Sequence, residues 1–93
     1  MGLTNPTPYV ILIIEREVIK VLEKVKEYFE KEYIDAVRAI ERKYNWGTPE
    51  SFVERAITNC LAVAMFAQTI GVSFEEIDPL YNEYKAKLEN LLV

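Results

Sequence analysis

Apolar residues recur along this chain with a helical period. Ile11, Ile14, Val18, Leu22, Val25, Phe29, Tyr33, Ala36, Ile40 and Tyr44 form one stripe. Its positions repeat at eleven, as in Ile11, Leu22, Tyr33 and Tyr44. Such a period corresponds to about 3.67 residues per turn and keeps the stripe on one side of a nearly straight helix. No glycine or proline falls between Tyr9 and Trp46. Thr7 followed by Pro8 is a helix start, with threonine as N-cap and proline at the first helical position. The pattern predicts a long helix over about residues 8–45, either whole or broken near 31–35, where charges crowd. Its opposite face carries charges four apart, Glu23, Glu27 and Lys31 among them, the mark of a solvated surface. Near its start Val10, Ile13 and Val21 draw a second apolar line, so this third of the helix needs two partners.

Asn45-Trp46-Gly47-Thr48-Pro49 punctuates the chain. Gly47 suits the left-handed position after a helix. Thr48 and Pro49 restart one, and Glu50 in its first turn is favoured by the helix dipole. The reversal is tight, so a second helix over about 49–70 is expected to run antiparallel along the first. From Cys60 to Ala67 that helix is apolar at every position, which predicts cover on several sides. Ala56, Cys60, Ala64, Ala67 and Gly71 form a stripe of small residues where another helix can come close. Phe52, Ala56, Val63, Phe66 and Ile70 form the bulky stripe. The segment is shorter than the roughly 20 apolar residues a bilayer requires.

Gly71 ends this helix. Ser73-Phe74-Glu75-Glu76 is a capping box, with Val72 and Ile77 at the staple positions. Asp78-Pro79 repeats the cap-and-proline signal, so the third helix begins at Phe74 with a disturbed first turn or at Pro79. It runs to about residue 92 and buries Leu80, Tyr84, Leu88 and Leu91. The fold class is therefore all-α: a small antiparallel bundle of helices over about 8–45, 49–70 and 74–92. Residues 1–6 read as a disordered lead and 7–93 as one helical domain. The two shorter helices are too short to cover a first helix that is apolar along its whole stripe. An exposed patch of that size calls for another chain. The expectation is a homo-oligomer, most simply a two-fold dimer, with Tyr9, Val10, Ile13, Ile14 and Val21 as candidate self-association residues.

Composition narrows the chemistry. The chain has 93 residues, about half of them apolar, and a net charge of −4. Residues 1–46 hold eight basic and eight acidic side chains, and residues 47–93 hold three against seven, so the deficit lies in the second half. No basic patch is visible, which argues against a nucleic-acid partner, since duplex binding leans on Lys and Arg contacts to phosphate. The apolar N-terminal run lacks the basic face of a membrane-surface helix. There is one cysteine, so no intramolecular disulfide can form. Cys60 lies on the apolar helix, where a buried inert thiol is expected. No signal-peptide pattern precedes the first helix, and a cytoplasmic location is the default expectation.

Histidine is absent. That removes Ser-His-Asp and Cys-His catalysis, most zinc sites and the histidine-containing di-iron motif of helical bundles. Only carboxylate-based magnesium chemistry is left open. No catalytic, cofactor-binding or metal residue is assigned, and no cofactor is expected. The residue set points to a non-enzymatic helical interaction or structural protein with an acidic, aromatic surface. Trp46, Phe74, Glu75, Glu76, Asp78 and Tyr81 are its candidate partner-binding residues. Aromatic side chains with polar tips are favoured at interfaces, and the acidic cluster suits a basic protein surface.

Two partial resemblances give alternatives. The tail from Thr58 to Leu88, with its "IGVSFEEI" turn and "YNEYKAKL" helix, looks like the last two helices of MazG-like all-α nucleotide pyrophosphohydrolases. The resemblance implies magnesium held by Glu-x-x-Glu on one helix, here Glu27 and Glu30, and by Glu-x-x-Asp on the next. The second pair falls at Arg55 with Thr58 or Asn59, none of them a carboxylate, so a degenerate relative is implied. Separately, Ala67-Gln68-Thr69-Ile70-Gly71-Val72-Ser73 resembles the turn of a helix-turn-helix, with Ile77 and Leu80 at core positions. That resemblance implies DNA binding, but the reading helix would offer Phe74, Glu75, Glu76 and Asp78, three carboxylates facing phosphates.

Overall fold

The computed structural model describes the backbone from Pro8 to Val93 and the side chains from Glu17 onward. The expected lead over residues 1–6 and the Thr7 cap lie outside the described residues. Three α-helices follow in order: α1 (Pro8–Glu41), α2 (Pro49–Thr69) and α3 (Phe74–Glu89), closed by a 3-10 turn at Asn90–Leu92. Among the described residues there is no strand. At about 1.5 Å per residue, α1 is roughly 51 Å long, α2 about 32 Å and α3 about 24 Å.

α1 is whole through residues 31–35. The charges there, Lys31, Glu32 and Asp35, are of mixed sign, and nothing in them removes a backbone hydrogen bond. The helix stops at Glu41, a turn before the expected end near residue 45. Its stop is a Schellman motif built on a lysine. Lys43 takes φ 52°, its N–H donates to the Ile40 carbonyl, and the Tyr44 N–H donates to the Ala39 carbonyl. Gly47 does not have a positive φ. Its role is space. A Cβ there would lie 2.6 Å from Ser51 Oγ and 2.8 Å from Phe52 Cε1.

α2 opens on Thr48 with Pro49 in its first turn, and Thr48 and Ser51 form a reciprocal capping box. It ends in a second Schellman motif. Gly71 takes φ 113°, its N–H donates to the Gln68 carbonyl, and the Val72 N–H donates to the Ala67 carbonyl. Val72 is buried just beyond the turn, as the hydrophobic contact of that motif requires. α3 begins at Phe74, not Pro79. The Ser73 hydroxyl accepts from the Glu76 N–H, and the Glu76 carboxylate accepts from Ser73. Pro79 lies inside the helix, on an exposed side where water can take the bond its missing N–H leaves open.

The core is where the three helices meet. Phe29, Val53, Cys60, Ile77, Tyr84 and Leu88 are its most enclosed members. The Phe29 and Tyr84 rings pack edge to face at 5.7 Å. The small stripe of α2, Ala56, Cys60, Ala64 and Ala67, is buried. Val18, Val21, Leu22, Tyr28, Tyr33 and Ile40 edge the core from α1, while Leu80, Tyr81 and Leu91 edge it from the C-terminal region. Ala39, off the main stripe, is buried, whereas Tyr44, on it, is exposed. Ala36 and Ala39 line one cleft with Phe52 and Ala56, and Val21 and Val25 line another with Ala67 and Ile70.

The expectation that α2 is covered on several sides is not met within one chain. One face is buried. On the other, Leu61, Met65, Phe66 and Ile70 are 44 to 63 % exposed. The reason is the number of helices: two neighbours can enclose only the stripe they share. Of the bulky stripe, Phe52 and Ala56 are buried, Val63 is half-buried, and Phe66 and Ile70 face outward.

Candidate functional site

Two surface features stand out, and both are built by α1 and α2. The first is the apolar outer face of α2. Leu61 and Met65 are four residues apart, as are Phe66 and Ile70, so each pair forms its own line along the helix, and the two lines flank the outer side of α2, with Leu61 and Ile70 about 180° apart. Phe66 and Ile70 also border a groove of about 410 Å³ against Lys20, Val21, Lys24, Val25 and Tyr28 of α1. Val21, one of the candidate self-association residues, is therefore half-buried in the wall of this groove. The side chains of Tyr9, Val10, Ile13 and Ile14 lie outside the described residues.

The second feature is a cleft of about 450 Å³ at the end where α1 turns back into α2. Asp35 and Arg38 line it from α1, Arg55 and Asn59 from α2, and Arg42 and Trp46 from the connection. Glu32, Tyr44 and Phe52 complete its polar and aromatic walls. Trp46 is more than half exposed. It packs edge-on to Phe52 at 4.5 Å, lies 6.1 Å from the Tyr44 ring, and carries the Arg55 guanidinium 5.5 Å from its centroid. Arg42 donates to the Tyr44 hydroxyl at 3.5 Å. Among the described residues the ion pairs are Lys24–Glu27 and Lys87–Glu83, so Arg38, Arg42 and Arg55 face this cleft without an ionic partner.

The carboxylates of α1 divide between two sides. Glu30 turns toward α3 and accepts a hydrogen bond from the Tyr84 hydroxyl. Glu32 turns toward α2 and accepts from the Asn59 amide at 3.2 Å. The carboxylates that share a cleft with Arg55 and Asn59 are thus Glu32 and Asp35, not Glu27 and Glu30. Glu27 and Glu30 line a different, open groove with Glu23 and Lys31. Among the described residues no three His, Cys, Asp or Glu side chains are grouped to hold a metal.

Three acidic protons are held tightly. Burial, with Glu32 nearby, pushes the Cys60 thiol up to about 12. Burial and the hydrogen bond to Glu30 raise Tyr84 well above an ordinary tyrosine, and burial and Glu32 raise Tyr28.

The six candidate partner-binding residues do not form one surface. Trp46 stands before the start of α2, and Phe74 to Tyr81 stand beyond its other end, with that roughly 32 Å helix between them. Phe74 is more than half exposed, and Glu75 and Glu76 are exposed. Glu76 is engaged in the cap. Asp78 accepts from the Asn82 amide at 3.1 Å. Tyr81 packs half-buried against the core. The sequence reading missed the arginine cleft, although Glu32, Asp35, Ala39 and Arg42 follow a helical repeat that puts them on one side of α1. Among the described residues no helix is long and apolar enough to cross a membrane. No family model, curated protein or solved structure was found to match the chain.

Proposed function

We propose that the protein is a non-enzymatic interaction module. In this reading an antiparallel three-helix bundle is completed by a second copy docking on the outer face of α2. The observation that carries the reading is the exposure of Leu61, Met65, Phe66 and Ile70 along both flanks of the outer side of the most apolar helix. Covering the exposed half of each side chain is worth on the order of 1 kcal/mol, or about 8 kcal/mol over two copies. Association itself costs roughly 4–15 kcal/mol. The α2 face alone therefore supports a marginal dimer. The apolar sequence of Tyr9, Val10, Ile13 and Ile14 belongs to the same proposal as further surface for the second copy. The acidic start of α3, with exposed Phe74 and Glu75, is offered as the surface for a basic protein partner. The one thiol favours a binding role over catalysis, because it is buried and firmly protonated.

Light scattering on the wild-type chain at tens of micromolar is expected to give a mass of two chains or more. Met65→Glu with Phe66→Glu is expected to give the single-chain mass with the helical circular dichroism retained, since both side chains are solvent-facing in one chain. A single-chain mass for the wild type at that concentration would remove the reading.

A further inference from the structure

The arginine cleft at the α1–α2 reversal is separate from the apolar face and groove proposed for self-association. We propose that this cleft binds a small, planar organic phosphate, with the ring against Trp46 and the phosphate among Arg38, Arg42 and Arg55. Three observations converge. The cleft, at about 450 Å³, falls within the roughly 300–1,000 Å³ range of small-molecule sites. Three guanidinium groups line it without an ionic partner among the described residues. Its aromatic wall is open, with Trp46 more than half exposed beside Phe52 and Tyr44.

The charge arrangement selects the ligand. The chain carries a net −4, yet the cleft sets three cations against the two carboxylates Glu32 and Asp35. Asp35 stands within one turn of Arg38, whereas Glu32 is away from the end formed by Arg42, Arg55 and Trp46. Along α1, Glu32 lies ten positions before Arg42, about 15 Å at the helical rise, and Glu32 already accepts from Asn59. The end near Arg42, Arg55 and Trp46 is therefore electropositive and aromatic together. Guanidinium forks match a phosphate's oxygens in geometry and lose less hydration than an ammonium, so they suit this anion. A flat ring adds stacking on Trp46, as bases stack on aromatic side chains. Magnesium has no part in the proposal: the groups that α2 sets beside Trp46 and Glu32 are a cation, Arg55, and a neutral amide, Asn59.

Trp46 is the only tryptophan, so its emission reports the site directly. The wild-type chain is titrated with AMP and with phenyl phosphate, which separate a purine source from any ring-bearing phosphate. A saturable change in Trp46 emission with at least one of them below about 1 mM is expected, a modest affinity of about −4 kcal/mol. Adenosine and inorganic phosphate, each lacking one half of the ligand, are expected to bind at least about tenfold more weakly. A hydrogen bond to a charged group is worth about 1.5–3 kcal/mol, so Arg38→Gln and, separately, Arg42→Gln should each weaken binding about tenfold or more. Both side chains are exposed, and unchanged circular dichroism verifies the fold of each variant. No saturable change with either phosphate, or a change that both arginine variants leave intact, would overturn the proposal.

Discussion

Cys60 shows how position decides the chemistry of a residue. A free thiol loses its proton near pH 9, but this one is enclosed between the helices with Glu32 nearby, and its value is pushed to about 12. The folded chain therefore holds this proton more tightly than the unfolded chain does. A group raised in this way contributes stability that is fully present below its unfolded value and is lost as pH climbs toward the folded one. Tyr28 and Tyr84 are raised too, but from 10.0 rather than 9.0. Loss of thermal stability is expected to begin near pH 9 through Cys60 and to steepen above pH 10. Replacing Cys60 by Ala should flatten the pH 9–10 part of the profile while lowering stability at neutral pH through the cavity left behind. Thiol titration at pH 8 should find the native chain unreactive and the denatured chain reactive at one equivalent.

At the scale of elements, both inter-helix connections use the same stop, and only one was visible as sequence. Gly71 marks the end of α2 because glycine occupies φ 113° without a side-chain clash. The end of α1 is marked by Lys43, which carries no such signal, and the glycine four residues on has a different task. The two positions should respond in opposite ways. Lys43→Gly relieves a left-handed lysine and is expected to stabilise by about 0.5–1 kcal/mol. Gly47→Ala pushes a methyl into Ser51 and Phe52 and is expected to destabilise by roughly 1–3 kcal/mol. Chemical denaturation of the two variants checks both signs. The capping box at the start of α3 was legible because the side chains of Ser73 and Glu76 carry it themselves. The choice between Phe74 and Pro79 was not, because both are sound starts locally and only the buried Ile77 between them commits the first turn to the helix.

For the whole molecule, the open issue is what covers α2. Three helices bury its small-residue stripe and leave its outer side to solvent. If a second copy closes that face, folding and association are linked, and stability must depend on concentration. The thermal midpoint is expected to rise as the protein is raised from about 1 to 100 μM, and the Met65→Glu, Phe66→Glu variant should lose that dependence. Scanning calorimetry over this range reads both. The arginine cleft lies at the far end of α2 from Ile70, so filling it is expected to leave this dependence unchanged.

The sequence by itself determined the all-α class, the three helices, the Ser73–Glu76 capping box and the α1 stripe that buries Val25, Phe29 and Ala36. These follow from period, caps and glycine at a helix end, each a property of residues a few positions apart. Tertiary structure alone decided that the side of α2 away from its small stripe stays uncovered, that Glu30 meets Tyr84 while Glu32 meets Asn59, and that Arg38, Arg42, Arg55 and Trp46 line one cleft. Each of those depends on how one helix is rotated and shifted against another. A period names a face, but the register between two helices is set by how their side chains interlock, and that information is shared between segments far apart in the chain.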